Sequence, residues 1–133
     1  VIGMARTTAL ADIDPEKVPL FRLVVKRAKA PPLIVTARVD VVALRKVSPD
    51  LLICDLDSLE TDQMEMLRQL RFVLPSCIIV IYTQNTKRSF GPSAHTAGAN
   101  GVLSKDSTET ELAAGLKLAM SEGCFTDPRL RAA

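Results

Sequence analysis

What this 133-residue chain has little of excludes several functional classes. It holds a single histidine, His95, so neither a histidine-based triad nor a histidine metal cluster is available. Its three cysteines, Cys54, Cys77 and Cys124, cannot all pair. Cys54 and Cys77 lie in apolar runs and read as packed thiols rather than metal ligands. No glycine-rich loop follows the first apolar run and no P-loop pattern occurs, which argues against a nucleotide-binding enzyme. Seventeen Lys and Arg against fifteen Asp and Glu leave a net charge of +2, too small and too scattered to suggest nucleic-acid binding. No run is long enough to cross a membrane. Residues 1–8 lack the basic-then-apolar pattern of a signal peptide, so a reducing, cytoplasmic compartment is expected. The length fits one domain with its own core.

What the chain does have is alternation. Residues 8–11, 33–35, 51–54, 77–82 and 101–104 are short apolar runs suited to buried strands. Between them lie segments of helical period. Asp14-Pro15-Glu16 reads as a helix start, followed by Phe21, Val24, Val25 and Ala28 at helical spacing, with Pro19 delaying the true start. Pro31-Pro32 stops that helix. Residues 41–47 form a short helix, and Ser48-Pro49-Asp50 a turn. Met66, Leu67, Leu70, Val73 and Leu74 share a helix face that ends at Pro75. Residues 84–92 read as a loop or irregular helix start, and 93–97 as a helix up to Gly98. Asp106 to Glu109 supply capping residues for a last helix, with Leu112, Ala113, Leu116, Ala119 and Met120 inward and Gly123 closing it.

Repeated strand–helix units predict an α/β fold, a doubly wound parallel sheet with helices on both faces. Ligands in such sheets bind beyond the carboxyl ends of the strands. Four of the apolar runs end in Asp12, Asp55, Thr83 and Lys105. Two acids, a hydroxyl and an ammonium on one edge suit a phosphoryl group better than a core. Asp57 and Asn85, two residues beyond Asp55 and Thr83, read as solvated loop residues beside the pocket.

These residues resemble the receiver domain of two-component response regulators. The resemblance rests on Pro49 to Leu56 around Asp55, on Ile79 to Thr83, and on Ala97 to Asp106 with Lys105 near its end. Lys105-Asp106 is similar to the NarL-type branch, whose members continue into a LuxR-type helix-turn-helix domain. The resemblance implies a flavodoxin-like (βα)5 three-layer sandwich with a five-stranded sheet. It implies a signalling module rather than an enzyme, with the receiver domain over 1–124 and a tail or linker to an output domain over 125–133. Asp55 would accept a phosphoryl group from a sensor histidine kinase, Lys105 would balance charge, and Thr83 would donate to a phosphoryl oxygen. Asp12, Asp55 and Asp57 would hold Mg²⁺. A homodimer would form through the last strand and helix, and a C-terminal DNA-binding domain would regulate transcription.

The chain departs from that pattern in specific places. Ile13 stands where the family carries the second of two adjacent acids, and it cannot bind a metal. Gln84 follows Thr83, where a small residue is usual. Ser58-Leu59 replaces the common Met-Pro. Val102 replaces an aromatic switch residue. The departures imply an atypical receiver with an impaired Mg²⁺ site, or a phosphorylation-independent module for dimerisation or protein contact.

Overall fold

The computed structural model describes residues 6–131. Six parallel strands form one sheet: β1 (Thr7–Ala11), β2 (Leu33–Ala37), β3 (Leu51–Cys54), β4 (Ile78–Thr83), β5 (Gly101–Ser104) and β6 (Phe125–Thr126). Their order is β2-β1-β3-β4-β5-β6, the doubly wound flavodoxin-like order with one strand added. Five helices connect them: α1 (Val18–Arg27), α2 (Val41–Val47), α3 (Gln63–Val73), α4 (Phe90–Ala97) and α5 (Glu109–Glu122).

Strand periodicity sorts the core into two layers. Leu52, Cys54, Ile79 and Ile81 point to the face covered by α2, α3 and α4, where they meet Leu44, Leu67, Leu70 and Ala94. Leu51, Ile53, Val80 and Tyr82 point to the other face, against Phe21 and Val24 of α1 and Leu112 and Leu116 of α5. Each fully buried Leu or Ile contributes roughly 1.5–3 kcal/mol of apolar transfer. β3 is buried on both faces, which explains its unbroken apolar run. β2 lies at the sheet edge, and its Leu33 is half exposed, so the expected buried strand at 33–35 is only partly buried.

Local signals set most helix ends. Pro19 sits at the second position of α1, behind a 3-10 turn at Pro15–Lys17 that Asp14 caps, so the helix proper starts late. Thr108 and Glu111 form a reciprocal capping box on α5. α4 starts at Phe90, ahead of the expected 93. Phe90 buries its ring, and Pro92 falls in the first turn, where a missing N–H is harmless.

The expected tail from Phe125 is instead packed as far as it is described. β6 pairs with the outer edge of β5, through Gly101↔Phe125 and Val102↔Thr126. Gly115 of α5 leaves room for the Phe125 ring; a Cβ there would lie 2.6 Å from Phe125 Cε2. Leu130 and Asp127 are buried, and Asp127 Oδ2 accepts from Ser107 Oγ at 2.7 Å. The sheet therefore has six strands rather than five, and the β5 edge expected to meet a second copy is taken up internally. The parts of the expected domain and tail at 1–5 and 132–133 lie outside the described residues.

Candidate functional site

β1, β3, β4 and β5 end at one level, because backbone pairing continues one residue past the strands. Asp55 N donates to Ala11 O at 3.1 Å, and Lys105 N to Thr83 O at 2.9 Å. The β3 loop begins Asp55-Leu56-Asp57. Leu56 is fully buried and anchors the loop, so the acids on either side of it turn outward together. Asp57 N donates to Asp55 Oδ1 at 2.9 Å, which closes a tight turn and presents both carboxylates to the same space.

Lys105 bridges the two acids. Its Nζ lies 2.7 Å from Asp55 Oδ2 and 3.0 Å from Asp57 Oδ2. It also stands 5.8 Å from the centre of the Tyr82 ring, which packs edge-on against Phe21. Asp57 has two further donors: Thr83 Oγ1 at 2.6 Å to Oδ1, and the Gln84 N–H at 3.0 Å to Oδ2. Thr83 is fully buried, and its hydroxyl oxygen also accepts the Asn85 N–H at 3.0 Å. One ammonium faces two carboxylates here, and the hydroxyl and the amide supply the remaining stabilisation.

The ionisation of the group follows from this arrangement. Burial pushes the Asp57 carboxyl up, but hydrogen bonds from Thr83, Gln84 and Lys105, with the charge of Lys105, outweigh it and hold the group below the usual carboxylate range. Burial pulls Lys105 down, yet its contacts with Asp55 and Asp57 leave it above the ordinary lysine value. Burial pushes the Tyr82 hydroxyl up and the Cys77 thiol up to about 12. Cys54 is raised further, by full burial first and then by nearby acidic groups. Both thiols are inert packing groups.

The expected metal set is not assembled. Asp12 has a positive φ of 53°, and its Oδ2 accepts the Val39 N–H at 3.1 Å, so it ties the β1 end to the turn before α2. Ile13 is buried among the α1-side core residues. Asp14 Oδ1 accepts the Glu16 N–H at 3.0 Å and caps a turn. Three consecutive residues thus leave β1 for three separate tasks. Both oxygens of Asp57 are committed to Thr83, Gln84 and Lys105. Among the described residues, no group of three or more His, Cys, Asp or Glu could hold a metal ion. Asp12, tied to the Val39 N–H, is thus not gathered with Asp55 and Asp57 into one set of carboxylate ligands.

Asp55, Thr83 and Lys105 are brought together, with Asp57 between them. Sequence reasoning read Asp57 as a solvated loop residue and, by resemblance, as a Mg²⁺ ligand, and it overlooked the Gln84 N–H. The acid–Leu–acid alternation at 55–57 was the available signal, since a buried middle residue sends its neighbours to one side. Asn85 caps its own turn through Lys87 N. His95 is half-buried on α4, between Ala99 O at 2.9 Å and Thr126 Oγ1 at 2.7 Å, and helps to hold β6 in place.

No family model and no curated protein matches this sequence. Solved structures do. A two-component response regulator of the LuxR family from Aurantimonas sp. SI85-9A1 is 24% identical, with a TM-score of 0.73 over 96% of this chain and 92% of that one. The RcsB response regulator of Salmonella typhimurium is 21% identical, with a TM-score of 0.73 over 96% of this chain and 64% of that one. The chain has the receiver fold. A pilus assembly-related protein from Burkholderia pseudomallei K96243 carries the same fold at 19% identity, with a TM-score of 0.71 over 90% of this chain and 92% of that one. Among the described residues, no helix is long and apolar enough to cross a membrane.

Proposed function

We propose that the protein is the signal-receiving module of an atypical response regulator, with Asp55 at the phosphoacceptor position. The observation that carries this reading is the 2.7 Å contact between Asp55 Oδ2 and Lys105 Nζ at the carboxyl edge of a receiver fold, with the Thr83 hydroxyl in the same hydrogen-bonded group. The donor would be the phosphohistidine of a sensor kinase. The phosphorus–nitrogen bond breaks, a phosphorus–oxygen bond forms to Asp55, and the imidazole leaves with a proton. Lys105 stabilises the charge gathered on the phosphoryl oxygens and on Asp55. The module is not itself an enzyme, and its output is transcription regulation through a DNA-binding domain, by analogy with LuxR-family proteins of this fold. A second copy would meet α5 and the docked 125–130 segment rather than a bare β5 edge.

A second reading, a phosphorylation-independent dimerisation or interaction module, is favoured by one observation: the residues leaving β1 do not assemble a metal site. The fold is also compatible with an output other than DNA binding, as the pilus assembly-related protein illustrates. Intact-protein mass after incubation with acetyl phosphate and Mg²⁺ separates the two. A phosphoryl adduct on the parent and none on Asp55→Asn supports the first reading. No adduct on a folded parent, even with a phosphohistidine donor, supports the second.

A further inference from the structure

We infer that Asp57 is a resident anion in the Thr83–Lys105 pocket: its carboxylate takes the donors a phosphoryl group on Asp55 would use. The inference rests on the proposed reading of Thr83 and Lys105 as phosphoryl ligands. It goes beyond that reading by assigning Asp57 a positioning and competing role.

The geometry is specific. A carboxylate offers two oxygens and several lone pairs. Oδ1 of Asp57 takes the Thr83 hydroxyl at 2.6 Å, and Oδ2 takes the Gln84 N–H and Lys105 Nζ, each at 3.0 Å. A phosphoryl oxygen is the same kind of acceptor and is bound by the same kinds of donor. Thr83 has only one hydroxyl proton to give, and here it is given to Asp57. Its oxygen is occupied by the Asn85 N–H as well. The donors come from β4, the residue after it and the residue after β5, so they converge from elements distant in the chain.

The tether makes the carboxylate an effective competitor. Asp57 lies two residues from Asp55, and its own N–H is held by Asp55 Oδ1 at 2.9 Å. It is therefore supplied at high effective concentration and already oriented. A second anion in the same pocket would meet its charge at close range. Two consequences follow. Thr83 is already drawn toward an anion with no phosphoryl group on Asp55. Phosphorylation of Asp55 must also displace Asp57, so the site is biased against it.

The test follows the backbone amides of Thr83, Gln84 and Lys105 by NMR in the parent, Asp57→Ala and Asp57→Ser, each checked for folding by circular dichroism. Inorganic phosphate is titrated into each, in parallel with the Asp55→Asn form of each protein, which removes repulsion from Asp55. In the parent, the Gln84 amide is protected from exchange and the three amides do not respond to phosphate. In either Asp57 variant, Gln84 exchanges faster. In the Asp55→Asn background, loss of Asp57 tightens phosphate binding by roughly tenfold or more, the scale of a lost charged hydrogen bond. Unchanged Gln84 protection in folded variants would overturn the inference. So would equal phosphate responses with and without Asp57, including no response in either. The proposed function fails separately: no covalent adduct on Asp55 from either acetyl phosphate or a phosphohistidine donor would sink phosphorylation and leave the resident anion standing.

Discussion

The two halves of the carboxyl edge have fared differently. On the β3–β4–β5 side, Asp55, Asp57, Thr83 and Lys105 form one connected set with contacts between 2.6 and 3.0 Å. On the β1 side, Asp12, Ile13 and Asp14 go to a turn, the core and a cap. Both halves begin as apolar strands ending in acid, so composition does not distinguish them. The difference is which donors are within reach: an ammonium, a hydroxyl and an amide on one side, single backbone amides on the other. Lys105, Thr83 and the Gln84 N–H converge on the β3 loop from neighbouring strands. The β1 end meets single backbone N–H groups: Asp12 takes that of Val39, brought in from beyond the neighbouring β2, and Asp14 takes that of Glu16 in its own turn.

The sharpest way to break this contrast is to remove its cation. Lys105→Met leaves two carboxylates facing each other without their ammonium. Breaking a buried pair by deleting one partner is strongly destabilising, and the quarter exposure of Lys105 puts the expected loss at the low end, about 3 kcal/mol. Urea unfolding measures it; a loss under half that size would mean the acids relax into solvent.

Rebuilding the other half is the second test. Ile13→Asp restores the missing acid, but at a position that now packs against α1. The expected result is a destabilisation of about 2 kcal/mol from lost burial, with no rise in melting temperature on adding Mg²⁺. A Mg²⁺-dependent rise would show that residue identity alone had dismantled this half. Addition of EDTA to the parent should leave its melting curve unchanged.

A smaller effect is expected from Thr83→Val, which keeps shape and removes the hydroxyl. Asp57 Oδ1 loses a donor and Asn85 N–H loses an acceptor, for about 1–2 kcal/mol. The Asn85 amide should also exchange faster. Unchanged stability would mean that water replaces the hydroxyl.

The smallest effect is the pH dependence of the connected half. Asp57 has a lowered pKa in the folded state, so its contribution is present above the ordinary carboxylate pKa and lost as pH falls through the depressed value. Lys105 has a raised pKa, so its contribution is present below the ordinary lysine value and lost as pH rises through the elevated one. Stability from this set is therefore flat across neutral pH and falls at both extremes. A step near pH 6–7 in the melting temperature of Asp57→Asn minus parent would contradict this assignment.

Much of this molecule was legible in its amino acids. The apolar runs at 51–54, 77–82 and 101–104 are all strands within a residue or so, because burial on both faces demands continuous apolar sequence. The Thr108 cap, the Pro19 delay and the Gly123 stop are local chemistry and appear where expected. The placement of Asp55, Thr83 and Lys105 at strand ends followed from the same runs. β6 was not legible. Two residues have no periodicity, and their pairing depends on a Phe125 ring fitting over Gly115, ten positions earlier.

What the sequence alone determined is therefore a parallel sheet with helices on both faces and the chemistry delivered to one edge. Both follow from patterns a few residues long. Tertiary structure decided which way each carboxylate turns. Asp57 finds its hydroxyl and amide donors 26 and 27 positions away, Asp12 is held by the Val39 N–H 27 positions away, and only Asp14 is held locally, by the Glu16 N–H two positions on. A carboxylate takes the donors within reach, and strand packing brings the distant ones there.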